Sequence, residues 1–109
     1  MVRFLHPSGV RGKKHPAVIV QSDAYNPAVK TLVVAEVTKT LTMASDPACL
    51  FLDTSTPEGQ ATGLKRDSVV SCLLLATIDS DRVDKVLGTL SSAMRSGLND
   101  CLKVALGVP

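Results

Sequence analysis

The stretch Asp67–Ile78, DSVVSCLLLATI, constrains the fold more than any other part of the chain. It is crowded with Val and Leu and has few polar breaks, so periodicity alone does not assign it. The flanks, TGLKRD before and DSDR after, are rich in turn residues and favour one or two strands over a helix. Other segments repeat the pattern. AVIVQ (17–21) reads as a buried strand by its β-branched content, TLVVAEV (31–37) as a second and ACLFLD (48–53) as a third. Between the first two, SDAYNP carries turn residues, and Pro27 forbids a continuing central strand. DKVLGTL (84–90) predicts a further short strand ending near Gly88.

Only the last segment reads clearly as a helix. Ser91 or Ser92 can cap its start, and Met94, Leu98, Leu102 and Ala105, with Cys101, recur at helical spacing. Gly107 and Pro109 end it. Several short strands followed by one amphipathic helix predict a mainly β fold: a small, mainly antiparallel barrel covered by a C-terminal helix, one domain over residues 1–109. Apolar residues make up 45% of the chain but aromatics only 3%, and Trp is absent, so Val, Leu, Ile and Ala must build the core. No apolar run approaches the roughly 20 residues needed to cross a bilayer. MVRFLHPSG lacks the apolar region of a signal peptide. The expectation is a soluble, cytoplasmic protein without membrane contact.

Cys49, Cys72 and Cys101 stand far apart in apolar surroundings, which fits buried thiols better than the paired spacing of a zinc site. Charge is distributed unevenly. Residues 1–20 hold Arg3, Arg11, Lys13 and Lys14 and no acid, while residues 21–60 hold Lys30 and Lys39 against five acids. Local positive charge fits a polyanion site, or simply a solvated N-terminal arm. Asp79, Asp81 and Asp84 beside Arg82 read as a solvated turn rather than a metal site. No metal or cofactor is expected.

In this order and spacing, GKKHPAVIVQSDAYN, TLVVAEVTKT, GLKRDSVVSC with ATIDSDRV, and VLGTLSSAM resemble the MazF/PemK/Kid family of bacterial toxins. The likeness runs from about Pro7 to about Gly107. Its sharpest parts are the basic-residue-Pro-Ala-Val strand entry, the QSDAYN turn, and RDSVV paired with TIDSDR. The resemblance implies an SH3-like barrel of the CcdB/MazF toxin type with a C-terminal helix, acting as a cytoplasmic bacterial homodimer. It implies a toxin–antitoxin endoribonuclease that holds single-stranded RNA in a groove across the dimer. A cognate antitoxin's disordered acidic tail would occupy the same groove.

The family's Arg-Pro falls on His15-Pro16, its strand-end Thr on Thr38, and its gating loop on Ser8 to Lys14. This chain departs from the pattern in three places. His15 replaces the arginine, Leu73-Leu74-Leu75-Ala76 replaces Asp/Glu-Gln-x-Arg, and the first strand is reduced to MVRFL. Taken without the family, His15 reads as a pre-proline turn residue and Thr38 as an ordinary strand-end threonine.

Metal-independent RNA cleavage uses the ribose 2′-hydroxyl as nucleophile. A base, an acid and a cation must serve the phosphorane. An imidazole exchanges protons near neutral pH, whereas a guanidinium is mainly an electrostatic clamp. The resemblance therefore gives His15 the role of general acid or base and has the Thr38 hydroxyl bind the scissile phosphate. Arg11, Lys13 and Lys14 would supply charge, and Lys39 would bind a flanking phosphate. His6 is a second acid–base candidate. With only Phe4 and Tyr25 near the basic segment, base stacking would be sparse. Two other readings stay open: a degenerate member that binds antitoxin or RNA without cutting, and a gyrase-inhibiting toxin of the same fold.

Overall fold

The computed structural model describes residues 2–5 and 14–109, with side chains from His15 onward. Six strands form one sheet: β1 (Val2–Leu5), β2 (Lys14–Ile19), β3 (Thr31–Thr38), β4 (Cys49–Leu52), β5 (Ser68–Asp79) and β6 (Val83–Val86). A short helix α1 (Pro57–Ala61) precedes β5, and a long helix α2 (Ser92–Leu106) closes the chain. The strand order is β4-β5-β3-β2-β1-β6, with every pair antiparallel. Among the described residues β4 and β6 form no ladder with each other, so the predicted barrel is present as a bent open sheet.

Successive residues of a strand point to opposite faces, and here both faces are buried. One carries Val18, Ala35, Val37, Leu52, Val70 and Cys72 under α2, which contributes Leu98 and Cys101. The other gathers Ala17, Leu32, Val34 and Ile78. Burial on both sides is why β3 and β5 read as nearly continuous apolar runs. The stretch around Asp67–Ile78 is one strand with a sharp irregularity. Ala35 faces Leu75 but Glu36 faces Ser71, so Cys72, Leu73 and Leu74 stand against a single step of β3. Extra residues on one side bend a ladder. Leu73 and Leu74 lie exposed at that bend.

Other boundaries moved for identifiable reasons. β2 begins at Lys14, not Ala17, because β1 pairs with it through Phe4↔His15 and Leu5↔Lys14. Val2–Leu5 thus forms an interior strand between β2 and β6. α1 was not foreseen, since TSTPEG resembles a turn. Thr56 caps it by accepting the Gly59 N–H at 3.0 Å, with Pro57 at its start. The predicted strand 84–90 ends at Val86 because Leu87–Leu90 leaves the sheet to lie on α1. Thr89 N donates to the Ala61 carbonyl at 3.0 Å. A Cβ on Gly88 would stand 2.2 Å from that same oxygen. α2 follows the prediction closely. Ser91 Oγ accepts the Met94 N–H at 3.1 Å and donates to the Glu58 carboxylate, tying α2 to α1, and Gly107 ends the helix at φ 67°.

All three thiols are free and buried. Burial pushes the Cys72 thiol up from 9.0 to about 11, with the nearby Cys101 and Cys49 adding to the effect. The folded protein therefore keeps a proton that the unfolded chain releases. That contribution to stability is complete below about pH 9 and is lost as pH rises towards about 11. The urea midpoint should fall over this window, and Cys72→Ala should fall less steeply than the parent. Equal slopes would contradict a desolvated thiol.

Candidate functional site

β2 and β3 pair at Ile19↔Val34, Val18↔Ala35 and Ala17↔Glu36, and the ladder stops there. The next residue of β2 is Pro16, which has no N–H to donate. Carried two residues further, the same register sets His15 against Thr38. Past the stop each strand keeps a different partner. β2 continues on β1 through His15↔Phe4, and β3 continues on β5 through Thr38↔Val69. The strands part, and a cavity of about 550 Å³ opens at the fork. His15 and Pro16 line one side, Val37 and Thr38 the other, and Lys39 and Thr40 its rim.

Leu64, Lys65, Arg66 and Ser68 form the far wall. Local geometry brings them there. Gly63 takes φ +79°, and a Cβ on it would stand 2.1 Å from the Leu87 carbonyl oxygen, so the turn into this wall requires glycine. Asp67 Oδ1 accepts from Thr54 N at 2.9 Å and Thr54 Oγ1 at 2.7 Å, pinning the start of β5 to the end of β4. Ser68 Oγ donates to the Arg66 carbonyl at 2.9 Å. RDSVV is thus a device for holding Arg66 at the cleft. QSDAYN has a comparable role at the other end of β2. Gln21 accepts the Val33 N–H at 3.2 Å and donates to the Thr31 carbonyl at 3.0 Å, extending the β2–β3 pairing through a side chain.

The lining residues include Lys39, Lys65 and Arg66, all exposed, together with His15, and no acid among those described. Thr38 Oγ1 accepts the Thr40 N–H at 3.1 Å, which leaves its hydroxyl hydrogen to donate. The cleft therefore combines fixed positive charge, a hydroxyl donor and an imidazole, a set that suits a phosphodiester anion.

Of the residues predicted from sequence, His15, Thr38 and Lys39 meet here. Arg11, Lys13, His6 and the side chains of Lys14 and Phe4 lie outside the described residues. Tyr25 is exposed in the turn after β2, away from the cleft lining. Lys65 and Arg66 were missed as site residues, although the adjacent cations in GLKRD were a visible signal. Among the described residues no group of three His, Cys, Asp or Glu could hold a metal ion. A separate cavity of about 420 Å³ lies between β2 and α2, lined in part by Gln21, Arg95 and Asn99.

Residues 1–106 match the family model described as PemK-like, MazF-like toxin of type II toxin–antitoxin system. The endoribonuclease MazF6 of Mycobacterium tuberculosis is 33% identical over 102 residues, covering 88% of this chain and 85% of that protein. Endoribonuclease EndoA of Bacillus subtilis is 26% identical over 98 residues, covering 90% and 80%. Among solved structures, the Mycobacterium tuberculosis toxin MazF-mt6 superposes with a TM-score of 0.78 at 20% identity, covering 99% of this chain and 97% of that one. A mycobacterial endoribonuclease solved with its cognate antitoxin gives 0.79 at 22%, covering 99% and 91%.

Gly63→Ala tests how the far wall is held. Backbone strain of this kind costs about 1–3 kcal/mol, and the contact with Leu87 adds to it, so the thermal midpoint should drop by several degrees. An unchanged midpoint would show that the turn has another way to form.

Proposed function

Because the chain belongs to the PemK-like, MazF-like toxins of type II toxin–antitoxin systems, we infer that it is the toxin of such a pair and an endoribonuclease cutting single-stranded RNA at the fork between β2 and β3. The observation that carries the site is that His15 and Thr38 line one cavity with Lys39, Lys65 and Arg66.

The reaction is an internal transesterification. The ribose 2′-oxygen attacks phosphorus, the bond to the 5′-oxygen breaks, and the products end in a 2′,3′-cyclic phosphate and a 5′-hydroxyl. Thr38 donates its hydroxyl hydrogen to a non-bridging phosphate oxygen, a role its bond from Thr40 orients. Lys65 and Arg66 oppose the negative charge that grows on the phosphorane, and Lys39 holds a neighbouring phosphate. His15 moves a proton. An imidazole can give and take protons near neutral pH, which the guanidinium it replaces cannot, so clamp and proton carrier are separate residues here. Arg11, Lys13 and Lys14 belong to the same basic segment and add charge for flanking phosphates. The chemistry draws on side chains alone, with no metal or cofactor.

The same cations suit the acidic tail of a cognate antitoxin, which would block the cleft by occupying it. We place the active form as a homodimer with RNA in a groove across both copies, in the bacterial cytoplasm where mRNA is found. No helix among the described residues is long and apolar enough to cross a membrane.

Purified protein incubated with mixed-sequence RNA in EDTA should leave 2′,3′-cyclic phosphate or 3′-phosphate ends. His15→Ala should lose about 10²–10⁴-fold in rate. Binding without cleavage would instead identify a non-catalytic member, and inhibition of gyrase without RNA cleavage would identify a gyrase-directed toxin. Lys65→Ala and Arg66→Ala should each flatten the log affinity–log salt slope for RNA by about 0.7. An unchanged slope would remove that residue from the interface.

A further inference from the structure

We propose that Glu36 is the general base of the cleavage reaction, taking the proton of the 2′-hydroxyl while His15 acts as the acid. The proposal rests on the ribonuclease reading above and goes beyond it by assigning both proton transfers.

Glu36 sits at the root of the fork, in the last pair before the ladder stops, opposite Ala17. Alternation puts it on the face that carries Thr38 on its own strand and His15 on β2. Its place in the row is unusual. Inward positions Leu32 and Val34 of β3 are buried and apolar, and Ala17 and Ser71 on either side of Glu36 are buried too. Glu36 is half-buried and interrupts this otherwise apolar row with a carboxylate. Glu36 is not itself part of the cavity lining; it stands one step behind it, two residues before Thr38 on β3.

The separation suits the chemistry. Attacking and leaving oxygens stand on opposite sides of phosphorus, so base and acid must be separated by a phosphate plus one hydrogen bond of about 2.6–3.2 Å at each end. In an unbroken antiparallel ladder diagonal partners stand roughly 7–8 Å apart. His15 lies on the diagonal from Glu36 just past the last pair, where the strands begin to part and the gap widens beyond that spacing. Thr38, next to Glu36 on the same face and opposite His15, is placed to hold the phosphate between them. Among the described residues, the polar and charged groups near the pair include Lys39, Lys65 and Arg66 at the cleft, with Ser71 and Cys49 beyond Glu36.

The step balances within the pair. The 2′-O–H proton moves to Glu36, the 2′-O–P bond forms, the P–O5′ bond breaks, and the imidazolium of His15 gives its proton to O5′. Exchange with water restores both groups.

Two substrates separate the roles: an all-oxygen RNA, and the same RNA with sulfur bridging phosphorus to the 5′-carbon at the cut site. The thiolate leaves without protonation, so the second substrate needs a base but no acid. His15→Ala should lose at least a hundredfold on the oxygen substrate and recover to within tenfold of the parent on the sulfur substrate. Glu36→Gln should lose at least a hundredfold on both. Glu36→Gln within threefold of the parent, or rescued by sulfur, overturns the assignment while leaving the ribonuclease reading intact. A parent that cuts neither substrate overturns both. If circular dichroism shows Glu36→Gln unfolded, the decision passes to Glu36→Asp, which keeps the charge but withdraws it by one methylene. A loss of tenfold or more on both substrates supports the base, and parent-like rates contradict it.

Discussion

An amide hydrogen missing at Pro16 ends the ladder between β2 and β3, and the cleft exists because of it. Up to Ala17↔Glu36 the two strands are held together. Beyond that pair each is held by its other neighbour, β1 or β5, so they part without unravelling. A proline inside a sheet is usually confined to an edge or a bulge. Here it occupies an interior strand and sets the depth at which the sheet opens. His15 and Thr38 face the opening as partners whose register was fixed by the ladder behind them, giving the side chains rigid supports on both sides.

The rest of the fold serves that opening from a distance. α2 covers one face of the sheet with Leu98 and Cys101, while the opposite face buries Ala17, Leu32, Val34 and Ile78 and turns polar at Glu36 and Thr38, beside the fork. α1 and the segment after β6 pack tightly enough that Gly63 and Gly88 have no room for a Cβ. This packing holds the turn that presents Lys65 and Arg66. Asp67 then fixes where β5 begins. Positive charge at the cleft is thus attached to backbone held by specific hydrogen bonds, the preorganisation that electrostatic stabilisation of a phosphorane requires.

Much of this was legible in the amino-acid order. β-branched runs located β3 and β4 to within a residue, and helical spacing with a serine cap located α2. Family likeness led to His15 and Thr38. What stayed hidden depended on pairing between distant segments. The start of β2 at Lys14 follows from β1, whose sequence VRFL gives no sign of being interior. The bend in β5 follows from a register shift against β3, to which an unbroken apolar run is blind. Lys65 and Arg66 looked like the polar flank of a strand until the Gly63 turn brought them across the cleft. Glu36 entered only as one of five acids between residues 21 and 60, and its position in the last β2–β3 pair gives it meaning.

The central claim is that nucleic acid lies in the fork. A single-stranded oligonucleotide with 2′-fluoro riboses throughout lacks the nucleophile and cannot be cut, so its binding can be followed by NMR at residue resolution. The His15 ring and the amides of Thr38, Lys39 and Arg66 should shift together on titration, with one affinity. Shifts confined to the second cavity around Gln21, Arg95 and Asn99, with His15 and Thr38 unmoved, would contradict the account.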